Sequence, residues 1–149
     1  MKKSNVVALN LSEVGEELPL LPEGEYVVGY VKHVTFEQFR SKKVVFYFQI
    51  IDHGKWHGAI LERFYNVERF TSKRGKNGSF IPPPRGNFML DYAMCFGMPL
   101  RRDRISLTRF EGKLFRVKVR TVKQNHEQRK YPESMQHSVI DSILGIEEI

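Results

Sequence analysis

The sequence predicts a mainly β chain, a five-stranded antiparallel barrel with one short helix between strands three and four. Three observations carry this reading. Apolar and polar residues alternate in several stretches, most clearly over residues 43–52 and 115–120. Turn residues separate these stretches, and helical spacing is confined to residues 88–96. The length of 149 residues, with 41% hydrophobic and 28% charged residues, suits one globular domain.

Residues 1–22 read as an N-terminal lead-in, because Pro19 and Pro22 restrict the residues before them and exclude a regular helix there. The domain is expected over residues 23–149. Glu23-Gly24 is a turn. Tyr26, Val27, Val28, Tyr30, Val31, Val34 and Thr35 make residues 25–36 the first strand, with Gly29 as the expected bulge. Residues 38–42 form a polar connection. In the second strand, 43–52, Val44, Phe46, Phe48 and Ile50 share one face, and Lys43, Val45, Tyr47 and Gln49 share the other.

Asp52-His53-Gly54-Lys55 turns the chain toward a third strand at 59–67. Residues 70–86 lack periodicity and are expected to form a long mobile or functional loop. Asn87 is placed to cap the helix, and Gly97 and Pro99 to stop it. A fourth strand follows at 113–123, a polar loop at 124–132 and a fifth strand at 137–145. Three strands, a helix and two strands is the order of the OB barrel. An SH3-like barrel lacks the inserted helix, and a different α+β sheet is the competing architecture.

The net charge is +7 and the isoelectric point about 9.6. Residues 101–130 alone hold eleven Lys/Arg against three acids, a surplus larger than that of the whole chain. Within them, Phe115-Arg116-Val117-Lys118-Val119-Arg120 alternates, so three cations leave one sheet face together and Lys123 extends the row. Such a face suits a polyanion, nucleic acid first among them. No amphipathic basic helix or lipidation motif points to a membrane surface. No signal peptide or membrane span is seen, so a cytoplasmic protein of a bacterial or phage-infected cell is expected.

Cys95 is the only cysteine and reads as a small buried hydrophobe. Asp52, His53 and His57 flank a turn, with no acidic cluster placed to complete a metal or nuclease site. Gly75-Lys76-Asn77-Gly78-Ser79 lacks the spacing of a phosphate-cradling loop, and no nucleophile–base set appears. Neither catalysis nor a metal nor a cofactor is expected.

Several short motifs add a resemblance. Leu21-Pro22-Glu23-Gly24-Glu25-Tyr26 before a valine-rich strand resembles the "P-x-G-x-Y" opening of a family of small phage and mobile-element proteins predicted to bind single-stranded DNA. Gly54-Lys55-Trp56-His57-Gly58 matches its "G-x-aromatic-x-G" hairpin. Residues 90–97 match its short helix ending in glycine, and Phe110-Glu111-Gly112-Lys113-Leu114 its "hydrophobic-x-G-K" strand opening. The likeness covers residues 21–122; the 70–86 loop matches no piece of it. It implies an OB-type fold, no catalysis and a role near DNA replication or recombination.

Single-stranded DNA offers spaced phosphates and unstacked bases, so its binder needs cations along a groove and flat rings beside them. Outward parity makes Tyr47 a stacking platform, with Lys43 on the same face. Trp56 is a second, because a large ring is hard to bury in a tight hairpin. Arg63 and Phe64 compete for the outward face of strand three, which parity leaves open. Phe39, beside Arg40, reads as exposed in the connection between strands one and two, a ligand-gripping loop in OB folds, while Phe36 reads as core. Tyr131 does similar work before strand five. Phosphate contacts are expected from Arg116, Lys118, Arg120 and Lys123, and from Lys73, Arg74 and Lys76 on the long loop. Residues 144–149 read as a frayed acidic-apolar tip.

The expected function is non-catalytic, largely sequence-independent binding of single-stranded DNA in replication or recombination of a phage or mobile element. Replication or recombination proteins are further expected partners, and self-association stays open. The alternatives are an RNA-binding OB module and an adaptor for an acidic protein partner. A small nuclease would need metal-dependent cleavage.

Overall fold

A computed structural model describes residues 18–148; most of the expected lead-in, residues 1–17, and Ile149 lie outside it. In chain order the elements are β1 (Gly24–Gln38), β2 (Ser41–Ile50), β3 (Ile60–Asn66), β4 (Arg69–Phe70), β5 (Gly75–Lys76), β6 (Phe80–Ile81), α1 (Asn87–Phe96), β7 (Leu114–Val122) and β8 (His137–Ile146), with three short 3-10 turns. The structure is mainly β, and every strand pairing is antiparallel. The main sheet runs β3-β2-β1-β7-β8, with β5 added to β1; β4 and β6 pair apart from it. Among the described residues there are thus eight strands, not five. Five are long, and the others are two-residue pieces at residues 69–81.

The sheet curls far enough to bring β8 beside β3. Among the described residues no ladder joins these two edges, so the expected barrel is not closed. Asp91 spans this seam from α1. Its Oδ1 accepts the Ile143 backbone N–H of β8 at 3.2 Å. Its Oδ2 accepts the Tyr65 hydroxyl at 2.6 Å and the Arg63 Nε–H at 2.9 Å, both from β3. One carboxylate therefore ties helix and both sheet edges together. Burial, with Asp91 alongside, pushes the Tyr65 phenol well above its ordinary pKa.

β1 pairs with β2 along one edge and with β7 and β5 along the other, and it is irregular midway. Its register against β2 shifts between Tyr30 and Lys32, leaving Val31 exposed. The bulge thus falls two residues beyond Gly29, where it was expected. The connection to β2 is also tighter than expected. Phe39 (φ 53°) and Arg40 (φ 65°) both sit in the left-handed region, making a two-residue hairpin turn of the kind usually built from Asn and Gly. That geometry holds the Phe39 side chain at the tip, 77% exposed.

The core is largely aromatic. Phe46, Phe48, Phe88, Phe110 and Phe115 are fully buried, with Phe46 and Phe110 ring centroids 5.3 Å apart and Phe110 and Phe115 5.5 Å apart. Phe88 and Tyr92 bring α1 into it. Gly86 rather than Asn87 holds the N-cap position of α1, and no side chain caps that end. Gly97 (φ 78°) ends the helix with its N–H on the Ala93 carbonyl. Cys95 is half-buried, and burial pushes its thiol up to about 12. Among the described residues no helix is long and apolar enough to cross a membrane.

The 70–86 stretch, expected as one long loop, contains short paired strands. β4 and β6 pair with each other, Phe80 and Ile81 are buried, and β5 lies along β1. Buried His33 fastens it: its Nε2–H donates to the Gly78 carbonyl at 2.9 Å, which leaves Nδ1 to accept the Tyr30 hydroxyl at 2.7 Å. Burial lowers the His33 pKa, only partly offset by the Gly78 bond. The unfolded chain therefore takes up this proton first as pH falls, so the neutral ring's contribution is present above the unfolded value near 6.5 and is lost below it. Urea midpoints should fall on going from pH 7 to pH 5.5, and His33→Gln should flatten that dependence; an equal slope in both proteins would clear His33 of the effect.

Candidate nucleic-acid interface

The outer face of β1-β2-β3 is built by register. Lys32 lies opposite Tyr47, Val34 opposite Val45 and Phe36 opposite Lys43; across β2, Tyr47 faces Glu62 and Val45 faces Phe64. These side chains point away from the main core and form a small cluster of their own, Val34, Val45 and Tyr47 with Phe36 against it. Phe64 stands on its border, 44% exposed, with its ring edge-on to Phe36 at 6.2 Å. Parity therefore places Tyr47 on the outer face as expected, but not as an open platform. It is only 7% exposed, with Lys32 Nζ 5.3 Å from the ring centroid. Burial, with Glu62 nearby, pushes its phenol up to about 12.

The open seam beside β3 forms a cleft of about 310 Å³. Phe64 and Glu62 line it from β3, Arg120 from β7, His137 from β8, and His126 and Tyr131 from the connection between the last two strands. That connection is a tight hairpin organised by Asn125, whose Oδ1 accepts the backbone N–H groups of Glu127 and Arg129 at 2.9 and 3.0 Å. Gln124 bridges to Lys130, and the Tyr131 N–H reaches the Lys123 carbonyl at 2.8 Å. The hairpin meets the β1–β2 turn: the Phe39 and His126 rings are 5.5 Å apart. Tyr131 lies 6.3 Å from His137. Four rings line the groove, Phe64, His126, Tyr131 and His137, with Phe39 against His126, and Lys123, Arg129 and Lys130 are exposed on the same hairpin.

The other expected residues divide. Arg40 is exposed beside Phe39, and Lys43 donates to Asn66 Oδ1 at 2.7 Å. Lys73 and Lys76 are exposed, Lys76 next to Val34 of β1, while Arg74 pairs with Glu37. Arg63 lines the cleft but does not take the outward position of β3. Its side chain is 11% exposed, bound to Asp91 and lying 4.8 Å over the Tyr65 ring, so Phe64 takes the outward position. Trp56 sits half-buried against the core at the far end of β2 from Phe39, with Lys55 over its ring at 4.9 Å. It is not part of this groove.

The cation row of β7 shares its face with acids. Arg116, Lys118 and Arg120 do alternate with buried Phe115, Val117 and Val119. Neighbouring strands supply acids, however. Arg116 makes a two-pronged contact with Glu147, at 2.9 and 3.1 Å, and lies 3.6 Å from Glu25. Arg120 pairs with Asp141 at 3.1 Å, and Glu25 lies opposite Lys118. Arg116 holds the Glu147 carboxyl below its ordinary pKa. This pair, and the Glu147 N–H on the Leu114 carbonyl, fasten a tip that was expected to fray. At the other hairpin, Asp52 accepts the Val27 N–H and His57 Nδ1 lies 3.0 Å from the Ile51 carbonyl.

Lys32, Glu62, His126 and His137 are site residues that no sequence motif marks. Glu62 and Lys32 could have been found from strand parity; the two histidines sit beside loops whose course the pattern does not give. No family model matches this chain, and neither does any curated protein or solved structure.

Proposed function

We propose that the protein is a non-enzymatic OB-type binder of single-stranded DNA, gripping the strand in the groove between the β1–β2 turn and the β7–β8 hairpin. The carrying observation is the convergence of Phe64, His126 and Tyr131 on one cleft, with Phe39 against His126 and exposed cations on the same hairpin. Flat rings from opposite walls suit unpaired bases, and Lys123, Arg129 and Lys130 suit the phosphates running past them. The strand order β3-β2-β1-β7-β8, with α1 ahead of β7, supports the OB reading as a barrel whose last ladder is unformed. The resemblance to phage and mobile-element proteins supports work in replication or recombination.

The test is anisotropy of labelled oligo-dT and of a matched duplex across salt. For about four to six neutralised phosphates, the log–log slope for oligo-dT should be about −3 to −4, with the duplex bound more weakly. Equal affinity for the duplex would reduce the interaction to charge alone. No binding at low salt would leave the adaptor reading standing.

A further inference from the structure

The cleft contains a group that phosphate binding does not explain. Glu62 lines it beside Phe64 and Tyr131, half-buried, and among the described residues its carboxyl makes no ion pair or hydrogen bond. A carboxylate in a groove meant for a polyanion repels the backbone. It is useful there only toward a ligand that brings N–H donors. We infer that the cleft selects guanine, with the two Glu62 oxygens accepting the N1–H and N2–H of one base held against Phe64 and Tyr131. This rests on the nucleic-acid reading above and narrows it, since that reading alone calls for little base preference.

The chemistry distinguishes the four bases. An ionised carboxylate only accepts, and its two oxygens match two parallel N–H donors. Guanine alone offers adjacent ring N–H and amino donors along its Watson–Crick edge. Cytosine and adenine offer an amino group beside a ring acceptor, and thymine offers one N–H between two carbonyls that would face the carboxylate. Being partly withdrawn from water strengthens the selection. Burial raises the Glu62 pKa, so the anion lacks solvation that matching donors would restore. The cleft volume is at the lower end of the roughly 300–1,000 Å³ of small-ligand pockets, a size suited to one base rather than an extended stack.

The experiment compares short T-rich strands carrying a single central guanine, inosine, cytosine, adenine or thymine, bound to the wild-type protein and to Glu62→Gln, with melting curves to verify that the variant folds. Wild type should bind the guanine strand about tenfold more tightly than the all-thymine strand. Inosine, which keeps N1–H and lacks the amino group, should fall between them. Glu62→Gln should bind all-thymine strands at least as well as wild type and lose most of the guanine preference. Equal wild-type affinities for guanine and thymine strands would overturn the inference while leaving the binding function intact. So would a Glu62→Gln protein that gains the same factor on every strand, which would make the carboxylate a simple repulsive charge. Absence of binding to any strand at low salt would overturn the parent reading, and this one with it.

Discussion

Replacing Asp91 with alanine should destabilise the fold by about 3–5 kcal/mol, the usual cost of removing one partner from a buried ion pair. Asp91 is 5% exposed, and three donors converge on it: the Arg63 guanidinium, the Tyr65 hydroxyl and the Ile143 backbone N–H. Alanine would leave all three buried without an acceptor, one of them charged. The effect should be larger than that of an ordinary polar truncation, because these donors belong to the two sheet edges that no ladder joins. Asp91→Asn keeps the shape and one acceptor oxygen but removes the charge opposite Arg63, so its loss should be smaller. Urea unfolding measures both, with the slope m unchanged if only stability has moved. A loss below about 1 kcal/mol for alanine would mean that the packing of Phe88 and Tyr92 holds the seam without the carboxylate.

The same residue marks the limit of what the pattern conveys. Strand parity placed Phe46, Phe48 and Ile50 in the core and Tyr47 on the opposite face, because period two is a local property of a chain. The helix and its glycine stop were legible for the same reason. Nothing local marks Asp91, because its partners lie 26, 28 and 52 residues away. The β4, β5 and β6 pieces are too short to show a period. The Phe39-Arg40 turn carries neither of its usual residues, since the strands on either side impose the backbone angles.

The charge row is partly neutralised, for a spatial reason. Residues 101–130 are rich in cations along the sequence, but Glu25 on β1 and Asp141 and Glu147 at β8 approach that face in three dimensions. The opposite case is the groove. Phe39, Phe64, His126 and Tyr131 are scattered through the chain, and only the curl of the sheet assembles them.

Removing two of those rings should separate stacking from charge. Phe39→Ala and Phe64→Ala should each weaken oligo-dT binding about tenfold, and together about a hundredfold, since stacking on an aromatic side chain contributes about 1–3 kcal/mol per base. Phe39 is the cleaner probe of the two: it is 77% exposed at a hairpin tip, so its loss should barely affect folding. Phe64 packs on Phe36 and should cost some stability as well. In neither variant should the salt slope change, because the phosphate contacts remain. Replacing Lys123, Arg129 and Lys130 by Gln should do the reverse, flattening the slope by about 2 at a coefficient of about 0.7 per phosphate on a single strand. Arg116→Gln should leave the slope nearly as it is, because Glu147 and Glu25 already occupy that guanidinium. An unaltered binding curve for the Phe39, Phe64 double variant would remove the rings from the interface. A slope that falls with Arg116→Gln and not with the hairpin cations would move the strand's path from the cleft to the face of β7.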